Sequence, residues 1–348
     1  MRIERENYTA LIEAPTLYVD NESKNRSGHM THAMAEFAPD KIIVFNSNCS
    51  AVRSRGHSTF GWVEYRISED AGKTFGAVQT LEFSMNSLLD GVYTISVEKA
   101  VACPDGSIVA ICLQNSTRDA VCCEPWGTPL AIRSTDGGKS WSEPIELSPY
   151  GGRVYDACVY EGVIYALHFC NEYFLGEKPE DLYRLYRSTD NGLTFEEVGV
   201  VPFDTVGRGY GAMLFDAEGV LHAYAYNSNS ESELDHVVSS DFGKSWSVCK
   251  PCYLDKGIRN PQIALIDGVY ILHGRASGEE GFVFYTSDNA ADWDAGTFMI
   301  RKKDAWCYYS NNLNLRDEQG NFLLIQYSDV YDGRCRVNVY HTRLRIYK

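Results

Sequence analysis

Ser134-Thr135-Asp136-Gly137-Gly138-Lys139-Ser140-Trp141 is one copy of a motif that recurs along the chain. The same Ser/Thr-x-Asp-x-Gly-x-x-Trp/Phe pattern stands at Ser68–Phe75, Ser188–Phe195 and Ser239–Trp246. Thr286–Trp293 is a degenerate fifth copy, centred on Asp288 and carrying Ala290 in place of the glycine. The aspartates are 66, 54, 51 and 47 residues apart. The chemistry of the unit is local. A carboxylate can accept backbone N–H groups across a tight turn, glycine admits φ > 0, and the aromatic ring folds back as a plug. Such a unit staples a hairpin and catalyses nothing. One copy says little, but five in register mark a repeat architecture.

Working outward, a second set of turns lies between the first. Pro39-Asp40-Lys41, Pro104-Asp105-Gly106, Glu161-Gly162, Asp216–Gly219, Asp267-Gly268 and Asp317–Gly320 each split an apolar run. Turns of this kind between alternating strands read as β-hairpins. The repeating unit is therefore strand, hairpin, strand, longer loop, strand, stapled turn, strand, which is a four-stranded propeller blade. Six hairpins give six blades. The last segment, 312–348, supplies three strands and no stapled turn. A strand in the stretch 8–19 can complete it and close the ring, which removes free sheet edges. The fold expected is a single all-β domain over residues 1–348, a six-bladed propeller of four-stranded antiparallel blades.

The stapled turn is the Asp box, and the array resembles the sialidase (neuraminidase) superfamily across nearly the whole chain. The resemblance implies a sialidase-like, carbohydrate-active protein whose site lies on the face opposite the Asp boxes. Topology agrees about the faces. Hairpins and stapled turns must share one face, so the other carries the inner-strand starts and the long loops, where function usually sits. Fold alone does not set function.

Composition narrows the classes. The chain has 348 residues with 13% aromatic and 44% apolar content, and 29 glycines, which suits aromatic strands broken by turns around a sizeable core. With 32 basic and 47 acidic side chains the net charge is −15, so nucleic-acid binding is not expected. The 11 cysteines are odd in number and scattered, include adjacent Cys122 and Cys123, and read as reduced thiols. The opening residues Met1–Glu6 lack the apolar centre of a signal peptide. No apolar run reaches the roughly 18 residues a membrane span needs. A cytoplasmic protein without membrane association is the expectation; oligomeric state is not legible. Cys249-Lys-Pro-Cys252 is a lone pair and reads as ordinary thiols. No Gly-rich phosphate loop implies a nucleotide cofactor, and His29, His32 and His57 with Asp329 lack metal-site spacing, so neither cofactor nor metal is expected.

The inner-strand starts carry the candidate site. Blade 3 opens at Gly152-Arg153, blade 4 at Gly207-Arg208 with Tyr210, and blade 5 at Gly257-Ile-Arg259. Convergent guanidiniums can bind a carboxylate through planar forks of donors. They can equally bridge neighbouring blades. Arg153, Arg208 and Arg259, with Arg275, are the substrate-binding candidates for an anionic sugar. Tyr309-Ser310 resembles the family's nucleophile strand, which implies Tyr309 as nucleophile; a phenol attacks as phenolate and needs a base.

The family pattern is not kept throughout. The first inner strand reads Gly28-His29-Met30-Thr31-His32-Ala33, without the family's Arg-Ile-Pro. The first long loop, 46–60, holds no carboxylate where the family has its acid/base Asp, but offers Arg53, Arg55 and His57. Tyr210 stands nearest the position of the family's Tyr-assisting Glu. Glycoside cleavage needs two acid/base groups across the bond. His57 can donate a proton near neutral pH, and Asp156, Glu172 and Asp329 are the carboxylate candidates. Tyr210 joins the substrate-binding set. Three readings stay open: an exo-acting glycoside hydrolase on a terminal acidic sugar, a non-catalytic glycan- or protein-binding propeller, and a uronic-acid lyase. Two ionisable groups facing each other near Tyr309, roughly 5–10 Å apart, would distinguish an enzyme from a binding module.

Overall fold

The computed structural model describes residues 1–52, 60–118, 124–302, 307–333 and 335–348, the Glu279 side chain apart. Six antiparallel sheets succeed one another along the chain as the blades of a propeller. Their inner strands are Met34–Ala38, Tyr93–Ala102, Arg153–Tyr160, Arg208–Phe215, Arg259–Ile266 and Ser310–Asp317. All six line a central cavity of about 540 Å³ that extends from Lys99 and Asp156 to the hairpin residues Glu36, Tyr160 and Asp216. The next strands outward are packed between neighbouring blades and read as continuous apolar runs. Ile42, Ile43, Val44 and Phe45 are all fully buried, as expected of strands covered on both faces.

The Asp boxes close the outer hairpins as their chemistry requires. Asp136 accepts the Ser134 hydroxyl at 2.9 Å, the amides of Lys139 and Ser140 at 3.0 Å each, and the Ser140 hydroxyl at 2.6 Å. These bonds hold the carboxyl well down, to about 2, the Ser140 hydroxyl contributing most. The plug reaches across to the preceding blade: Trp141 packs on Phe45 and Tyr65 at ring-centroid distances of 5.8 and 6.1 Å. The glycines do the same. A side chain on Gly192, at φ +80°, would strike Val109 of blade 2, and one on Gly243, at φ +84°, would strike Leu185 of blade 3.

Three details differ from the sequence reading. In the fifth box the acceptor is Asn289, not Asp288. Its carbonyl oxygen takes the amides of Ala291 and Asp292 at 3.0 and 2.8 Å, and Ala290 supplies the positive φ of 61°. The box is one residue shorter than the others, which shifts its register. Secondly, the inner strand of blade 1 opens at Met34. The stretch 28–33 before it bends inward, where the Thr31 hydroxyl accepts from the Ser47 hydroxyl at 2.7 Å and from the Val97 amide at 3.2 Å. Thirdly, one short α-helix, Glu82–Asp90, stands between blades 1 and 2 among the described residues and ends at Gly91 in the left-handed conformation. No helix among these residues is long and apolar enough to cross a membrane.

Blade 6 is completed by the other end of the chain. Thr9–Ile12 pairs antiparallel with Arg336–Tyr347, setting Ala10 opposite Ile346, and Thr16–Val19 pairs with the same strand further along.

Candidate functional site

Near the mouth, four successive inner strands break register against their neighbours. In blade 2 Val97 faces Cys112 and Lys99 faces Ile111, leaving Glu98 as the extra residue. In blade 3 the extra residue is Tyr155. Blade 4 has its irregularity between Arg208 and Gly211, and blade 5 between Arg259 and Gln262. A bulge adds a residue and re-aims the side chains around it. The bulges therefore turn polar groups toward the axis on strands that are otherwise apolar.

The centre of the mouth is a pair of phenols. The hydroxyls of Tyr210 and Tyr309 are 2.5 Å apart, with the rings edge to face at 77°. Both side chains are buried, Tyr309 at 3% exposure. Burial pushes the Tyr309 phenol well above its ordinary value, and Tyr210 adds to this; the guanidiniums of Arg275 and Arg153 pull the other way. The His29 ring lies 4.9 Å from that of Tyr309. Arg153 sits against the rings of Tyr155, Tyr210 and Trp126 at 5.1, 5.7 and 5.6 Å, a contact worth about 0.5–2 kcal/mol each.

Each expected arginine of the inner-strand starts has a carboxylate. Arg153 binds Glu98 of blade 2 through Nε and Nη2, both at 2.7 Å. Arg208 binds Asp235 of its own blade at 2.6 Å. Arg259 pairs with Glu231 and donates to the Tyr226 hydroxyl at 2.8 Å. Arg275 lies opposite Arg259 on the neighbouring strand and near Tyr309. The structure thus brings together Tyr309, Tyr210, Arg153 and Arg275, with Arg259 beside them, and leaves Arg208 on the flank.

The carboxylates expected from sequence lie elsewhere. Asp156 is buried beneath the mouth, ion-paired with Lys99 at 2.9 Å and accepting the Met213 amide at 2.7 Å. Lys99 also donates to Gln262 at 2.6 Å and Asn311 at 2.9 Å. This clasp gathers blades 2, 3, 4, 5 and 6 at the axis and floors the mouth. Glu172 is exposed on the rim, where its carbonyl accepts the Trp126 amide at 2.9 Å. Asp329 is half-buried 3.8 Å from Lys302 and beside Tyr308 rather than Tyr309. Tyr210 thus takes the place where a carboxylate partner for Tyr309 was sought. His57, Arg53 and Arg55 lie outside the described residues, as do Cys122 and Cys123.

Sequence reasoning missed Glu98, Lys99, Tyr155, Glu231 and Asp235. Glu98-Lys99 had a signal: two adjacent charges inside an apolar strand run, Tyr93–Ala102. Alternation would expose one of them, but the bulge buries both at 8% exposure. The partners of Arg208 and Arg259 come from a loop and a third strand, with no local pattern to give them away.

The comparisons with known proteins agree with this architecture. A BNR/Asp-box repeat model matches residues 132–143. A protein of unknown function from Dyadobacter fermentans superposes with a TM-score of 0.72 at 15% identity, covering 97% of this chain and 99% of that one. Trypanosoma rangeli sialidase gives a TM-score of 0.63 at 14% identity over 99% of this chain. The fold is that of a sialidase-like propeller. A variant of NanB sialidase from Streptococcus pneumoniae also matches, with a TM-score of 0.61 at 12% identity over 96% of this chain and 68% of that one. The chain spans 59% of the T. rangeli enzyme's length. No curated protein matches this sialidase-like propeller in sequence. At these identities the likeness speaks for the fold and not for the chemistry of the mouth.

Proposed function

We propose that this propeller is a carbohydrate-active protein that takes a terminal acidic sugar at the Tyr309 mouth, and that it acts there as an exo-glycoside hydrolase. The observation behind this reading is the setting of Tyr309. Its phenol stands just before the sixth inner strand, bonded to Tyr210 and near enough to the guanidiniums of Arg153 and Arg275 to feel their charge. Guanidiniums would balance the sugar's anion and stabilise a forming phenolate, while a neutral nucleophile avoids repelling the substrate. Hydrolysis requires Tyr309 to lose its proton; Tyr210 would accept it only while handing its own hydroxyl proton on to a further base.

Tyr210 in the place of a carboxylate favours a second reading, recognition of the same sugar without turnover. One experiment separates the two. The purified protein is given methylumbelliferyl α-sialoside and the corresponding uronide, with Tyr309→Phe alongside, and binding of the free acidic sugars is followed by calorimetry. Fluorophore release that vanishes in the variant supports the hydrolase. Binding without release supports recognition. Neither release nor binding overturns the reading.

A further inference from the structure

Beneath the phenol pair lies a second, small void of about 20 Å³, lined among others by His32, Glu98, Lys99, Arg153, Tyr155 and Tyr309. Four buried polar atoms of this lining have no hydrogen-bond partner among the described residues: Arg153 Nη1, Glu98 Oε1, Tyr155 Oη and His32 Nε2. Their side chains are almost wholly enclosed, at 3, 8, 4 and 3% exposure. An unmet buried polar group costs about 1–3 kcal/mol, and more when it is charged. Four of them around one void call for a common partner.

The chemistry of the four atoms selects that partner. Arg153 Nη1 can only donate, and Glu98 Oε1, as a carboxylate oxygen, can only accept. Tyr155 Oη can do either, and His32 Nε2 does one or the other according to its tautomer. An anion would satisfy Arg153 but face the Glu98 oxygen. A cation would satisfy Glu98 but face the guanidinium. An apolar group would satisfy nothing. Only a group that donates and accepts at once fits, and the space is that of one such group. A water needs about 10–15 Å³ and two to four polar partners, so the void admits one water.

We propose that one ordered water is built into this propeller at the Arg153–Glu98–Tyr155–His32 void, accepting from Arg153 and donating to Glu98. The Arg153–Glu98 ion pair already joins blades 2 and 3 through Glu98 Oε2. The water extends that pair through the two atoms it leaves open, Oε1 and Nη1, and ties it to Tyr155 and to His32 of the stretch leading into blade 1. The site does not depend on whether the mouth turns over a substrate.

The test is a crystal structure of the intact protein grown in bromide-containing solution, at a resolution that shows ordered waters. The expected result is one full-occupancy peak within hydrogen-bond distance of Arg153 Nη1, Glu98 Oε1 and at least one of the other two atoms, without anomalous bromide signal. An anomalous peak would make the site an anion site and overturn the proposal. A dry void would overturn it too, as would Glu98 Oε1 and Arg153 Nη1 bonded directly to each other.

Discussion

The hydroxyls of Tyr210, on blade 4, and Tyr309, on blade 6, meet 2.5 Å apart beneath the mouth. Each hydroxyl bonds the other in a buried setting, and both rings belong to one aromatic cluster with Tyr155 and Phe174. Tyr210→Phe takes from Tyr309 this partner, and Tyr309→Phe does the reverse. Each single change is expected to cost about 1–3 kcal/mol. The double change is expected to cost less than the sum, since no hydroxyl is then left facing a ring carbon. Urea unfolding of the four proteins measures the coupling; strict additivity would show that the contact carries no energy.

Lys99→Met should be among the most damaging single substitutions. It leaves the Asp156 carboxylate, whose side chain is 7% exposed, without its counter-charge. Breaking a buried pair in this way costs about 3–5 kcal/mol. Lys99→Met with Asp156→Asn is expected to recover part of the loss, because the amide still accepts from Met213. Chemical denaturation midpoints of the single and double variants check this.

Gly192→Ala should destabilise by more than about 1 kcal/mol. The position holds φ +80°, and an added methyl meets Val109 of the neighbouring blade. Gly333→Ala is the control. It shares a positive φ, 59°, but no atom of the described residues lies within 4 Å of the new methyl, so it isolates the backbone strain from the clash. Thermal unfolding should rank Gly192→Ala well below Gly333→Ala.

Acid should loosen the blades through the Asp boxes. Asp136 and Asp241 are both held at about 2, chiefly by the Ser140 and Ser245 hydroxyls. An unfolded aspartate titrates near 3.9, so the unfolded chain takes up these protons first. The boxes' contribution is therefore complete above about pH 4 and is lost as the pH falls toward 2. Urea midpoints at stepwise lower pH should drop through that window. Asp136→Asn should lower the midpoint at neutral pH and shallow the acid slope.

The architecture was legible because the Asp box is written in consecutive residues. Ser134, Asp136, Gly138 and Ser140 bond within one turn and Trp141 follows at a fixed spacing, so nothing distant is needed to see the motif. The fifth copy shows the limit of such reading. Asp288 and Asn289 are both able acceptors, and only the backbone decides that Asn289 faces the turn. The site was legible in part, for a physical reason. Tyr309, Tyr210 and Arg153 could be placed because inner-strand starts follow from the hairpins. Their partners could not, because bulges alter which side chain faces the axis, and Glu98, Glu231 and Asp235 come from other strands and loops. Three of the arginines read as an anion trap, Arg153, Arg208 and Arg259, are each met by such a carboxylate.

The pairing of Ala10 with Ile346 has a consequence in time as well as in space. During synthesis, Thr9–Ile12 leaves the ribosome before the inner strands of all six blades and must wait for Arg336–Tyr347 before it finds its partner. Until then blade 6 is short of its outer strand, and five blades can be assembled while the ring is still open. Closing so long a loop is slow relative to local pairing. The nascent protein therefore carries a waiting strand and a sheet still missing it, and it is in this interval, before the seam closes, that chaperones or a second nascent copy have their opportunity.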